Sequence, residues 1–233
     1  MNAQTVKKAL QTLANPNQAK LLQRFFKTGP GEYGEGDVFL GIKVPVQRKV
    51  ANKFKDLSLK EVQVLLNSRI HEHRMVALFI LIDKYKKADS KVKKQIFDLY
   101  LKNTKNINNW DLIDLSAPSI VGNYLLDKKK DILYKLAHSK SLWEKRISIL
   151  ATFEFIANKE TKDTLAIAEI LLHDKHDLIH KGVGWMLREV GKRVSQAEEE
   201  KFLKKHYKVM PRTMLRYAIE RFDEKKKKFY MKK

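Results

Sequence analysis

Trp110 and Asp114 stand four residues apart in the stretch WDLIDLSAPSIVG, Trp110 to Gly122. On a helix that spacing places the two side chains one above the other on a single face. An indole beside a carboxylate can hold a cation, the ring through its negative π density and the carboxylate through its charge. Pro118 follows one turn after Asp114 and lacks the N–H that would continue a helix, so the spacing predicts a kink or an end just past Asp114. Read alone, the pair is better explained as a half-buried tryptophan and a surface aspartate. Asp111 falls off that face and reads as a cap or a surface carboxylate.

The rest of the chain bounds what such a pair can do. Across 233 residues, 48 Lys and Arg stand against 27 Asp and Glu, a formal net charge of +21 that calls for an anionic partner: nucleic acid, an acidic membrane or an acidic protein. A hydrophobic content of 43% separates the chain from a disordered basic tail. The absence of cysteine excludes disulfides, thiolate metal sites and a cysteine nucleophile, and suits a reducing compartment. The N-terminal residues lack the apolar run of a signal peptide, and the longest apolar run, Val76 to Ile82, is too short for a membrane span. The expectation is a cytoplasmic protein without a membrane partner.

With 9 glycines and 5 prolines, and apolar residues recurring at three and four, the chain reads as all-α. Helices are predicted over Asn2–Ala14 and Asn17–Lys27, and from Pro45 onward; from Ser58 they follow in pairs with short polar connectors. One of them is predicted to run unbroken from Leu142 to Asn158. Thr28 to Asp37, TGPGEYGEGD, lacks the ending of a phosphate loop and carries three carboxylates, so it reads as a flexible connector. Residues 223–233, DEKKKKFYMKK, read as a basic tail that frays. The whole, 1–233, is expected to be a single domain, with residues 1–37 as its N-terminal helices and loop.

Arg74, Trp110, Arg146, Lys181 and Arg216 recur at steps of 36, 36, 35 and 35 residues. Such a step suits two-helix repeats of the HEAT or armadillo type, which stack into a solenoid with a concave surface. Equivalent positions would then line one face. Trp185 shares its repeat position with Asp114, so Asp114, Arg146 and Trp185 could converge on one ligand of nucleotide size.

Three further pieces stand in order with WDLID at Trp110–Asp114: FLGIKVP at Phe39–Pro45, WEKR at Trp143–Arg146 and GWMLRE at Gly184–Glu189. Together they resemble the AlkD-like DNA alkylation repair glycosylases, from about Phe39 through the C-terminal helices; the first helices and the acidic loop are less diagnostic. The resemblance implies a HEAT-like helical-repeat solenoid with a concave basic groove for duplex DNA. It also implies a monofunctional N-glycosylase in base excision repair that releases positively charged alkylated purines, 3-methyladenine and 7-methylguanine. Carried onto this chain, it makes Asp114 the catalytic carboxylate, Trp110 and Trp185 the aromatic walls around the lesion, and Arg146 the basic partner.

That chemistry suits these residues. An N3- or N7-alkylated purine is already a cation, so it leaves as a neutral base without an acid, and the sugar left behind has oxocarbenium character. A carboxylate with an ordinary pKa of about 3.9 is ionised at neutral pH and can stabilise that charge and orient water. Indole faces add roughly 0.5–2 kcal/mol for a cation. Arg146 can hold a phosphate by a bidentate fork or orient Asp114. Lys43, Arg48, Arg74, Lys181, Arg188, Arg212 and Arg216 are the candidates for DNA backbone contacts, each equally able to be a solvated charge. If about six engage phosphate, log K against log salt has a slope near −5.

His173, His176 and His180 share a helical spacing, yet no HExxH accompanies them and Asp174–Lys175 read as a turn, so neither a metal nor another cofactor is expected. No obligate protein partner is expected, and the chain is expected to be a monomer. The rival from another class is a catalytically silent HEAT scaffold for nucleic acid or an acidic protein. It would share the charge and the repeats but would not need Asp114 between two tryptophans.

Overall fold

The structure, a computed structural model, describes residues 1–232. Among them there is no strand beyond one isolated bridge between Val38 and Ile70; the rest of the regular structure is helical, as the periodicity predicts. No helix among the described residues is long and apolar enough to cross a membrane. The chain divides into two compact units, Met1–Ser116 and a second that begins at Ala117.

The first unit holds α1 (Ala3–Gln11), α2 (Pro16–Phe25), α3 (Val44–Lys53), α4 (Leu59–Leu66), α5 (His71–Lys87), α6 (Ser90–Lys102) and α7, which starts at Trp110 and runs to Ala117. Side-chain caps start most of them. Asn2, Asn15, Ser58 and Asp89 each accept a hydrogen bond from a backbone N–H three residues on, and Pro16 follows its cap where a missing N–H costs nothing. The core is built on α5, whose Met75 to Leu81 are all buried, with α3 and α4 packed on it.

FLGIKVP has a structural task. Glu72, fully buried on α5, accepts the backbone N–H groups of Leu40, Gly41 and Ile42 at 2.9, 2.8 and 3.2 Å. Gly41 has φ +82, and a Cβ there would lie 2.2 Å from the Asn15 carbonyl oxygen, so only glycine fits. The loop before it is a built turn rather than a loose connector, which corrects the sequence reading. Gly34 N–H donates to the Lys27 carbonyl, and Asp37 is buried.

The second unit holds α8 (Asn123–Leu125), α9 (Asp131–Ala137), α10 (Leu142–Ala151), α11 (Phe153–Ala157), α12 (Lys162–Ile170), α13 (Asp177–Arg193), α14 (Gln196–His206), α15 (Arg212–Ala218) and α16 (Glu224–Met231). Its centre is α13, against which α10, α14 and α15 pack. The helix expected from Leu142 to Asn158 parts at Thr152, whose hydroxyl turns back onto the Ile149 carbonyl at 2.7 Å and competes with the helical bond. Over the described residues the basic tail does not fray, Lys233 lying outside them: Asp223 caps α16 by accepting from Lys226 N–H, and Tyr230 is buried against Tyr207 and Phe222.

Candidate functional site

Trp110 and Asp114 lie on α7 as their spacing predicts, both partly exposed. The helix does not end after Asp114. It runs to Ala117 and widens into a π-turn over Pro118–Gly122. The wider turn absorbs the missing N–H of Pro118 without breaking the path of the chain. Within the first unit, the last turn of α7 is anchored by Ser116, whose Oγ meets the Tyr100 hydroxyl at 2.9 Å. Burial raises the pKa of Tyr100, the Ser116 bond opposes that, and the negative charge of Asp114 adds to the rise, so the hydroxyl stays neutral.

The Trp110 ring is stacked 5.2 Å from Phe26, with the edge of Phe25 at 6.0 Å. Phe26 in turn stacks 5.1 Å from Phe39, and Phe39 lies 4.4 Å from the ring of His71. His71 is buried between two carboxylates: Nδ1 lies 3.2 Å from Asp37 and Nε2 lies 2.9 Å from Asp111. Arg74 bonds the other oxygen of Asp37 at 2.7 Å. Burial alone would lower the imidazole pKa, but the charge and hydrogen bond of Asp111 and the bond to Asp37 outweigh it and raise it to about 9. Burial would likewise raise Asp37, yet the His71 bond and the Arg74 charge bring its carboxyl below the ordinary range.

This cluster was not foreseen. Asp111 is not simply a cap or a surface carboxylate: one oxygen accepts from Leu112 N–H and the other from His71. Arg74 is corrected as a phosphate contact. It is 3% exposed, with one nitrogen on Asp37 and another on the Ser68 carbonyl.

In the second unit, Arg146 on α10 is 4% exposed and donates from Nη1 to the Leu178 carbonyl in the first turn of α13. Burial and this bond make Arg146 a fixed cation rather than a free fork. Trp185, partly exposed on α13, lies 6.1 Å from Phe153, over which Arg193 sits at 4.8 Å. On the same helix Lys181 pairs with Asp177 at 2.7 Å. Arg188 is corrected as a phosphate contact: only 19% of its side chain is exposed, and it is paired with Glu220 and with Glu189.

Of the other basic candidates, Lys43, Arg48, Arg212 and Arg216 are exposed. Arg48 lies over the Phe79 ring at 4.2 Å, and Arg212 donates to the Met231 carbonyl at 2.8 Å. His176 and His180 serve the turn at Asp174–Lys175. His176 Nδ1 accepts from Leu178 N–H, and His180 Nε2 donates to the Asp174 carbonyl at 2.6 Å.

Comparison with known proteins gives the family. Among curated proteins nothing matches. The chain has the fold of a solved structure described as a predicted DNA alkylation repair enzyme from Enterococcus faecalis, with a TM-score of 0.70 and 14% identity over 91% of this chain and 97% of that one. The family model for DNA alkylation repair enzymes matches residues 6–222. By that match, which spans nearly the whole of both units, the chain belongs to the DNA alkylation repair enzyme family.

Proposed function

We propose that this protein is a monofunctional DNA N-glycosylase that releases positively charged alkylated purines, of the 3-methyladenine and 7-methylguanine type, from duplex DNA. The observation that carries the reading is the pairing of Trp110 and Asp114 on one partly exposed face of α7. The family supplies the substrate class, damaged DNA.

An N3- or N7-alkylated purine is already a cation, so departure of the base needs no proton donor. Positive charge builds on the sugar as the glycosidic bond lengthens. Asp114 opposes that charge and orients the water that adds to C1′, the released base keeps the bonding electron pair, and the proton lost by the water passes by way of the carboxylate to solvent. A fixed carboxylate lowers the transition state more than the ground state because the charge it faces is larger there. The Trp110 face favours the cationic lesion over a neutral nucleotide. Trp185 as a second aromatic wall and Arg146 as the basic partner are carried from the resemblance at WEKR and GWMLRE.

The test is release of methylated purine from alkylated duplex DNA under single turnover. Wild type is expected to release base, and Asp114→Asn to be slower by about 10²–10³-fold with duplex affinity retained. Equal rates would remove Asp114 from the mechanism. No release by wild type, with tight duplex binding, would leave a silent DNA-binding scaffold.

A further inference from the structure

Trp110 is held by two routes, and both pass through His71. Through the backbone, the next residue Asp111 bonds His71 Nε2 at 2.9 Å. Through the rings, Trp110 stacks on Phe26, Phe26 on Phe39, and Phe39 on the His71 imidazole. His71 itself is fixed at the first residue of α5, where its N–H donates to the Val38 carbonyl at 2.8 Å.

The two side-chain bonds of His71 dictate its charge. Both ring nitrogens face carboxylate oxygens, at 3.2 and 2.9 Å. An ionised carboxylate only accepts, and a neutral imidazole has one N–H to give, so two such bonds require the imidazolium. The groups facing it are Asp37 from the glycine-rich turn, Asp111 from α7 and Arg74 from α5. Two cations thus stand against two anions. Without the His71 proton, a ring lone pair would point at a carboxylate and one negative charge would be left unbalanced beside the start of α7.

We propose that His71 is a positioning residue: as the buried cation bridging Asp37 and Asp111, it sets where α7 begins and how the Trp110 ring is turned toward its ligand. The step from ring placement to base release rests on the proposed function; the placement itself does not. His71→Gln keeps one donor and loses the cation. Asp111→Asn keeps an acceptor and loses the anion, at a side chain that is still 16% exposed and so less critical to folding.

The experiment reads Trp110 alone, by its fluorescence in protein carrying Trp143→Phe and Trp185→Phe. The emission is expected to shift in both variants at pH 7, and in the parent to shift as pH rises, with a midpoint near 9. In the otherwise wild-type chain, His71→Gln is expected to slow release of 7-methylguanine about 10-fold, with affinity for undamaged duplex within about twofold. If His71→Gln fails to fold, Asp111→Asn and the parent's pH titration decide. Emission unchanged in the variants and flat from pH 7 to 10 would overturn the proposal. Emission that shifts as expected in a protein that releases no base would leave the positioning standing and remove the glycosylase reading.

Discussion

Glu199 is a buried carboxyl of the opposite kind from Asp37. It is 2% exposed, and its Oε1 has no hydrogen-bond partner among the described residues. Burial, with the neighbouring charge of Glu200, raises its pKa from 4.5 to about 8. Below pH 4.5 the carboxyl is protonated in both states. Between 4.5 and 8 the folded chain keeps a proton that the unfolded chain gives up, so stability falls as pH rises through that window. Glu199→Gln removes the titration. Thermal unfolding is expected to show it more stable than wild type by up to about 5 kcal/mol at pH 9 and near wild type at pH 4. Spacing and motif can find residues like Trp110 and Asp114, because a shared helical face is a property of the sequence. They cannot find His71, Asp37 or Glu199. Each is one polar residue in an ordinary helix or turn until a partner more than thirty residues away, or the lack of one, fixes its charge.

At the scale of elements, most helices were legible because their start signals are local: a capping Asn, Ser or Asp, then an apolar period. The repeat step holds for position only in part: Arg74, Arg146, Lys181 and Arg216 are the fourth or fifth residue of α5, α10, α13 and α15, whereas Trp110 is the first of α7. It does not hold for environment, since Arg74 and Arg146 are buried while Arg216 is exposed. A period fixes the place of a residue in its helix, and neighbours fix what reaches it. Two elements were illegible for the same reason. In α16 a lysine run hides the one buried ring, Tyr230, that docks it. After α7, Pro118 signals a break, whereas packing keeps the chain helical through a π-turn. That turn lies against the end of α10, and a Cβ on Gly122 would sit 2.2 Å from the Ala151 carbonyl oxygen. Gly122 has ordinary helical φ −60, so the obstacle is steric alone. Gly122→Ala is expected to cost about 2–4 kcal/mol in denaturant unfolding. A loss below about 0.5 kcal/mol would show that the close packing there relaxes freely.

At the scale of the whole molecule, the net charge of +21 is far larger than folding requires, and for a member of a DNA repair family its natural counterpart is the phosphate backbone. The charge total alone does not say how many cations act. Of the seven basic residues read as backbone contacts, Arg74 and Arg188 are largely buried on carboxylates, which leaves Lys43, Arg48, Arg212, Arg216 and Lys181, whose pair with Asp177 is exposed. Five phosphate contacts, each releasing condensed counterions, give a slope of about −4.5 for log K against log salt on undamaged duplex. The variants separate the two groups. Arg216→Ala removes an exposed cation and is expected to make the slope shallower by about 0.9, weakening binding alike on every sequence. Arg188→Ala removes a cation already neutralised by Glu220 and Glu189, so the slope is expected to stay within about 0.3 of wild type while thermal stability falls. Salt titrations of a fluorescent duplex with wild type and both variants measure all three slopes. A shallower slope for Arg188→Ala and none for Arg216→Ala would mean that the DNA breaks the Arg188 pairs on binding. The exposed cations of α15 would then lie outside its footprint.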